Sequence, residues 1–203
     1  MPVKLYRVFS FREASAPDEP GGALYIPPQG RGRIDNPRHY AVFYAARQPE
    51  AAVTEVLGPR EPGPLSVGSL RGSPLLIGSV LALATLQIPS LERLCDLDEP
   101  QELVARTMRP STVVSADHGV SQRWALTIYQ ERRVPSWIGV SWWSRYESSW
   151  TSVGVWKRTI LKLVDVELLT IEHPAVREAA RILRRPIIRP ARIMRSPRQR
   201  GPR

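Results

Sequence analysis

Between Arg31 and Gly58 the hydrophobic rhythm of the chain changes twice, and this constrains the local architecture more than any other stretch. The segment RGRIDNPRHYAVFYAARQPEAAVTEVLG opens in a glycine-bearing loop, enters a strand-like run from Tyr40 to Ala46, and ends in a short helical run. Alternation in the middle run puts Tyr40, Val42 and Tyr44 on one face of a strand and Ala41 and Phe43 on the other. Pro49 suits a first helical position, and Ala52, Val53, Val56 and Leu57 then form a buried face. Gly58-Pro59 stops the helix. Loop, strand and helix therefore carry Arg33, Tyr44 and Glu55 at equal intervals of eleven residues.

The rest of the chain is read in the same way. Twenty prolines and 13 glycines predict many loops and few long helices. Leu5–Phe9 reads as an opening strand, and Glu13–Gly32 as a long loop. Leu75–Ile88 reads as a strand bent at Gly78, Glu99–Thr107 as a helix, and Ser121–Arg132 as another, with Trp124, Ala125, Ile128 and Tyr129 at helical spacing. Trp137–Trp142, Val153–Trp156 and Leu161–Leu169 read as strands, and Pro174–Leu183 as a last helix. There is no regular βαβ alternation and no internal repeat. The expectation is a single α+β domain over residues 1–183, with a mixed, largely antiparallel sheet and flanking short helices.

Residues 184–203 contain eight arginines and no Asp, Glu or Lys; without them the net charge of +10 falls to +2 for residues 1–183. The basicity belongs to an Arg/Pro-rich tail that reads as disordered and suggests nucleic-acid binding only weakly. One cysteine, Cys95, excludes an internal disulfide and fits a reducing, cytoplasmic location. The N-terminus has no signal-peptide core, and the longest apolar run is too short and polar to span a bilayer. His39, His118 and His173 are scattered without a carboxylate or cysteine cluster, so no metal site is expected. No glycine-rich nucleotide loop of the GxGxxG or Walker type is present. Trp137, Trp142, Trp143, Trp150 and Trp156 read as core plus a partner-facing patch. Trp142 and Trp143 would face opposite sides of a strand, leaving one exposed for a homodimer or another partner.

A cation, an aromatic face and a carboxylate are the parts needed to hold a dinucleotide and strain its N-glycosidic bond. Taken singly, Arg33 reads as a solvated loop cation, Tyr44 as core, Glu55 as a solvent-facing helical residue, and Ser144 as a loop serine. Their order points further. Leu5-Tyr6-Arg7-Val8, Gly32-Arg33-Ile34-Asp35-Asn36-Pro37, Tyr44-Ala45-Ala46 running to Gln48-Pro49-Glu50-Ala51 and Glu55, Ser121-Gln122, and Ile138-Gly139-Val140 running to Ser144 are collinear with the motifs of one family. On these residues the chain resembles the RES domain family over roughly residues 4–160. It departs from the pattern at Ile34, where Trp is usual, at the inserted Asp35, and at Trp142-Trp143, where Pro is common before the serine.

The resemblance implies an ADP-ribosyltransferase-like fold and a toxin that consumes NAD+ by hydrolysis or phosphorolysis, with inorganic phosphate as co-substrate in the second case. It implies a helix-turn-helix antitoxin as partner. It implies that Arg7 and Arg33 contact the NAD+ phosphates, with Ser121 also in the binding set. Tyr44 would pack on the nicotinamide or its ribose, Glu55 would stabilise the oxocarbenium-like transition state, and Ser144 would orient substrate or nucleophile. No cofactor is expected beyond NAD+ as substrate. Three alternatives remain open: ADP-ribosyl transfer to a macromolecule, a non-enzymatic basic interaction module, and a RES fold without activity, motivated by Ile34 and Asp35.

Overall fold

A computed structural model describes residues 2–189; Met1 and residues 190–203 lie outside the described residues. The sheet is built on two long strands, β1 (Val3–Phe11) and β3 (Val80–Ile88), which pair antiparallel from Val3↔Ile88 to Phe11↔Val80. Both are rich in β-branched and large apolar residues, and alternation buries both faces. Leu5, Phe9, Ala82, Ala84 and Leu86 share one core, while Val8, Leu81 and Leu83 belong to another. Strand β7 (Lys162–Leu168) extends the sheet beyond β3.

On the other side of β1 the join is slight. Strand β2 (Phe43–Ala46) meets β1 through the single register pair Tyr6↔Ala46. It pairs along its full length with β6 (Thr151–Val155), followed by β5 (Gly139–Trp143) and, in parallel, β4 (Leu94–Asp96). The order is β4-β5-β6-β2-β1-β3-β7, antiparallel except for β4 with β5. The α+β expectation of a mixed, largely antiparallel sheet with short flanking helices is met.

Among the described residues five α-helices flank the sheet: α1 (Pro49–Leu57), α2 (Pro100–Ala105), α3 (Pro110–Val113), α4 (His118–Gln130) and α5 (Pro174–Ile182). All but α4 open on proline, whose missing N–H costs nothing at a position that has no intrahelical acceptor. Helix α4 opens instead on Asp117, whose carboxylate accepts from Gly119 N. The alanines of α1 and α5 let these helices pack closely, with Val53, Leu57 and Val176 fully buried between them. Truncating Leu57 to Ala there would cost about 2–5 kcal/mol. Helix α4 lays Trp124, Ala125 and Ile128 on Val140, Trp142 and Cys95. Tyr44 packs against the α4 core and Ala46 lies in the α1 core. Being two residues apart on β2, they show that both helical layers cover the same sheet face.

Several expectations are corrected. The strand expected from Leu75 begins only at Val80, because Leu76 N and Ser79 N bond back to Ser73 O and Leu76 O in turns and Gly78 takes a φ of +77°. This turn projects Leu75 and Ile77 into solvent at 98% and 92% exposure. The strand expected from Tyr40 starts at Phe43, since Tyr40 N bonds Asn36 O instead. Strand β4 and helix α3 were not expected. Neither Trp142 nor Trp143 is exposed: Trp142 is buried, and Trp143 is half-buried against the same core because that side is covered too. The segment after Leu183, expected to open a disordered tail, continues the fold as far as it is described. Ile187 bridges Leu65, Leu65 N donates to Pro186 O, and Ile188 N donates to Leu65 O.

Candidate active site

The loop from Gly30 to Asn36 is shaped by one buried carboxylate. Asp35 Oδ2 accepts from Gly30 N and Gly32 N, both at 2.7 Å, and Oδ1 accepts from the Tyr44 hydroxyl at 2.7 Å. The residue that departs from the family spacing is therefore the one that folds the loop around Tyr44. A Cβ on Gly32 would lie 2.6 Å from Asp35 Oδ1 and from the Tyr44 hydroxyl, so only glycine fits. Ile34 is fully buried and packs into the space that Gly154, lacking a side chain, leaves on β6. The other end of the loop is moored to α4. Ser121 Oγ donates to Arg33 O at 2.6 Å, Gln122 Nε2 to Gly32 O at 2.9 Å, and Asn36 Nδ2 to Gln122 O at 2.9 Å. His118 Nδ1 lies 2.8 Å from Arg31 O, which makes it the protonated ring nitrogen. Ser121 is fully buried, so its hydroxyl supports the backbone that presents Arg33 rather than opening to a ligand.

The structure gathers Arg33, Tyr44, Glu55 and Ser144 from loop, strand, helix and turn. Arg33 Nη1 donates to Ser115 O at 2.7 Å and more weakly to Val113 O at 3.3 Å, which aims the guanidinium. Glu55 sits half-buried in the last turn of α1 and accepts from the Ser144 hydroxyl at 2.8 Å. Ser144 is itself buried; its Oγ accepts from Tyr146 N at 3.2 Å, and its backbone N donates to Trp150 O at 2.7 Å. The serine thus holds one carboxylate oxygen of Glu55 and fixes the rotamer, while among the described residues no other donor meets Glu55.

Electrostatics links the same residues. Burial lowers the Arg33 guanidinium from its ordinary value, Glu55 opposes that shift, and Arg145 adds to it. Tyr44 is pushed well above its ordinary value, first by burial and then by Asp35. Tyr146 is raised by burial, with Glu55 contributing. Its ring packs where a Cβ on Gly58 would fall, so Gly58, which reads as a helix stop, also makes room for an aromatic wall. Asp35, Arg145 and Tyr146 are site residues that sequence reasoning missed. The position of Arg145-Tyr146 directly after Ser144 was the available signal for two of them.

Arg7 is not brought into this group. It lies where β1 and β2 part, with its guanidinium 4.2 Å from the centre of the Phe43 ring and donating to Ala23 O at 3.1 Å and Tyr25 O at 2.7 Å. Burial, and then Arg158, lowers it to about 10. Arg7 lines a cavity of ≈ 1090 Å³ that also borders Val56, the residue next to Glu55, and Arg60. No group of three or more His, Cys, Asp or Glu that could hold a metal occurs among the described residues. No helix among them is long and apolar enough to cross a membrane.

No curated protein matches the chain. Among solved structures, the toxin of the M. tuberculosis MbcT–MbcA toxin–antitoxin complex matches with a TM-score of 0.57 and 16% identity, over 91% of this chain and 90% of that one. At that identity the likeness is one of fold, shared over nearly the whole of both chains. The RES domain model matches residues 4–181, nearly the whole described chain, and the protein belongs to the RES domain family.

Proposed function

We propose that this protein cleaves the nicotinamide–ribose bond of NAD+ and acts as the toxin of a toxin–antitoxin pair. The observation that carries the reading is the Glu55 carboxylate, held at 2.8 Å by Ser144, with Arg33 in electrostatic reach of both Glu55 and Tyr44. Nicotinamide leaves as a neutral group from a cationic one, so the reaction needs no strong general acid. It needs positive charge at the ribose C1″ to be met as it develops, and a fixed carboxylate does this without reorganising. The C1″–N bond breaks with its electron pair going to nicotinamide. An oxygen of water or of inorganic phosphate forms the new bond at C1″, and any proton it releases passes to solvent. Tyr44, its hydroxyl tied to Asp35 and Ile34 N, offers only its ring to the substrate. Ser144 is a positioning residue, since its proton is committed to Glu55.

The MbcT–MbcA complex supports an antitoxin as partner for this chain, and the helix-turn-helix class is our proposal for it. The test is NAD+ consumption by purified protein with and without phosphate, with Glu55→Ala as control. ADP-ribose as product means hydrolysis, and ADP-ribose-1″-phosphate means phosphorolysis. Label from NAD+ appearing on a macromolecule would replace both with transfer. No loss of NAD+ from folded, antitoxin-free protein would refute the proposal.

A further inference from the structure

The cavity on the Val56 side of α1 holds charges that the Glu55 group does not use. Arg7, Arg60, Arg71 and Arg185 line it, against the single carboxylate of Glu61, which is exposed. None of the four forms an ion pair among the described residues. Two are moored by the backbone. Arg60 Nη1 donates to Ser69 O at 2.7 Å and Arg71 O at 3.0 Å. Arg185 donates through Nε to Gly63 O at 2.5 Å and through Nη1 to Leu57 O at 3.0 Å. Carbonyls thus aim both guanidiniums without neutralising them, and each keeps an Nη2 group with no acceptor among the described residues. Burial lowers Arg60, and the neighbouring Arg185 lowers it further. Ser66, Gly68 and Ser69 supply a polar wall. Like charges fixed side by side in a recess repel, and a bound polyanion removes that cost.

We propose that this cavity is a phosphate-binding site, in which Arg60 and Arg185 are the paired donors and Arg7 and Arg71 flank them. Planar guanidiniums match phosphoryl oxygens in geometry as well as charge. The phosphoryl group can come from the diphosphate of a dinucleotide reaching along the last turn of α1 to Glu55, or from free inorganic phosphate. The first source rests on the proposed function; the site itself does not.

The test is calorimetric titration of the full chain with pyrophosphate, ADP-ribose and inorganic phosphate at constant ionic strength. Wild type is compared with Arg60→Gln, Arg185→Gln and Arg71→Gln. Binding should weaken at least about tenfold in the first two and about threefold in Arg71→Gln, as expected for lost charge-assisted hydrogen bonds. Losses confined to pyrophosphate and ADP-ribose identify the nucleotide diphosphate. Equal losses for inorganic phosphate identify the free anion. Because Arg60 and Arg185 also hold carbonyls, Arg71→Gln, whose side chain makes no protein hydrogen bond among the described residues, tests the site in a protein that folds. Unchanged affinities in folded variants, or no rise in the wild-type Tm with pyrophosphate relative to chloride, would overturn the proposal. Pyrophosphate binding by folded wild-type protein that does not consume NAD+ would sink the proposed function and leave this site standing.

Discussion

Two loops of this protein handle charge in opposite ways. The loop from Gly30 to Asn36 is internally complete: its carboxylate, Asp35, accepts three hydrogen bonds, and α4 takes up its carbonyls. The loop from Gly58 to Leu76 is incomplete, with Arg60 and Arg71 lining one cavity together with Arg7 and Arg185, against one exposed carboxylate. The first is built to hold a geometry before any ligand arrives. The second is built around a charge that has to come from outside. Preorganisation and recruitment, normally mixed within one active site, are here divided between the two sides of one short helix.

The contrast is broken most severely at its boundary. Glu55→Ala should lower NAD+ turnover by roughly 10²–10³, the usual cost of removing one fixed charge stabiliser. Steady-state kinetics would show it, with an unchanged thermal midpoint separating chemistry from folding. Next comes the completed loop. Asp35→Ala strands two backbone N–H groups and the Tyr44 hydroxyl, for a loss of about 3 kcal/mol and a fall in Tm on the order of 10 °C, read by calorimetry. An unaltered Tm would mean that the loop is not held as described. Ser144→Ala removes one hydrogen bond to a carboxylate, about 1.5 kcal/mol. The expected result is a roughly tenfold drop in kcat with little change in KM; a change in KM alone would mean that Ser144 touches substrate instead. At the small end lies the incomplete loop: Leu75→Ser, at a side chain 98% exposed, should alter stability by less than about 0.5 kcal/mol. A larger loss there would show that the turn is packed in solution.

Much of the completed side was legible in the sequence, and little of the incomplete side. Arg33, Tyr44 and Glu55 declared themselves because a loop, a period-two run and a proline-led helix follow one another too closely to be placed otherwise. Ser144 was legible only through its order in a motif, since nothing local predicts that its proton goes to a helix 89 residues away. Asp35 looked like a disturbance of the pattern, and its three partners became visible only once the chain had turned back on itself. Arg60 and Arg185 could not be paired from sequence at all. One follows a helix stop and the other opens what reads as a charged tail, and it is the Leu65–Ile187 bridge that joins them. Strand β4 escaped because three residues carry too little periodicity to be seen.

The single register pair between β1 and β2 has a mechanical consequence. Seven strands form one sheet on paper, yet β4-β5-β6-β2 and β1-β3-β7 are two plates riveted at Tyr6↔Ala46. Tyr44 and Ser144 travel with the first plate and Arg7 with the second. Helix α1, packed on β1, β2 and β6, and the apolar side chains shared by β1, β2 and β6 carry the join where the backbone ladder does not. A molecule gripped by both plates at once would work as a strut, stiffening the protein along the one line where its own backbone does not.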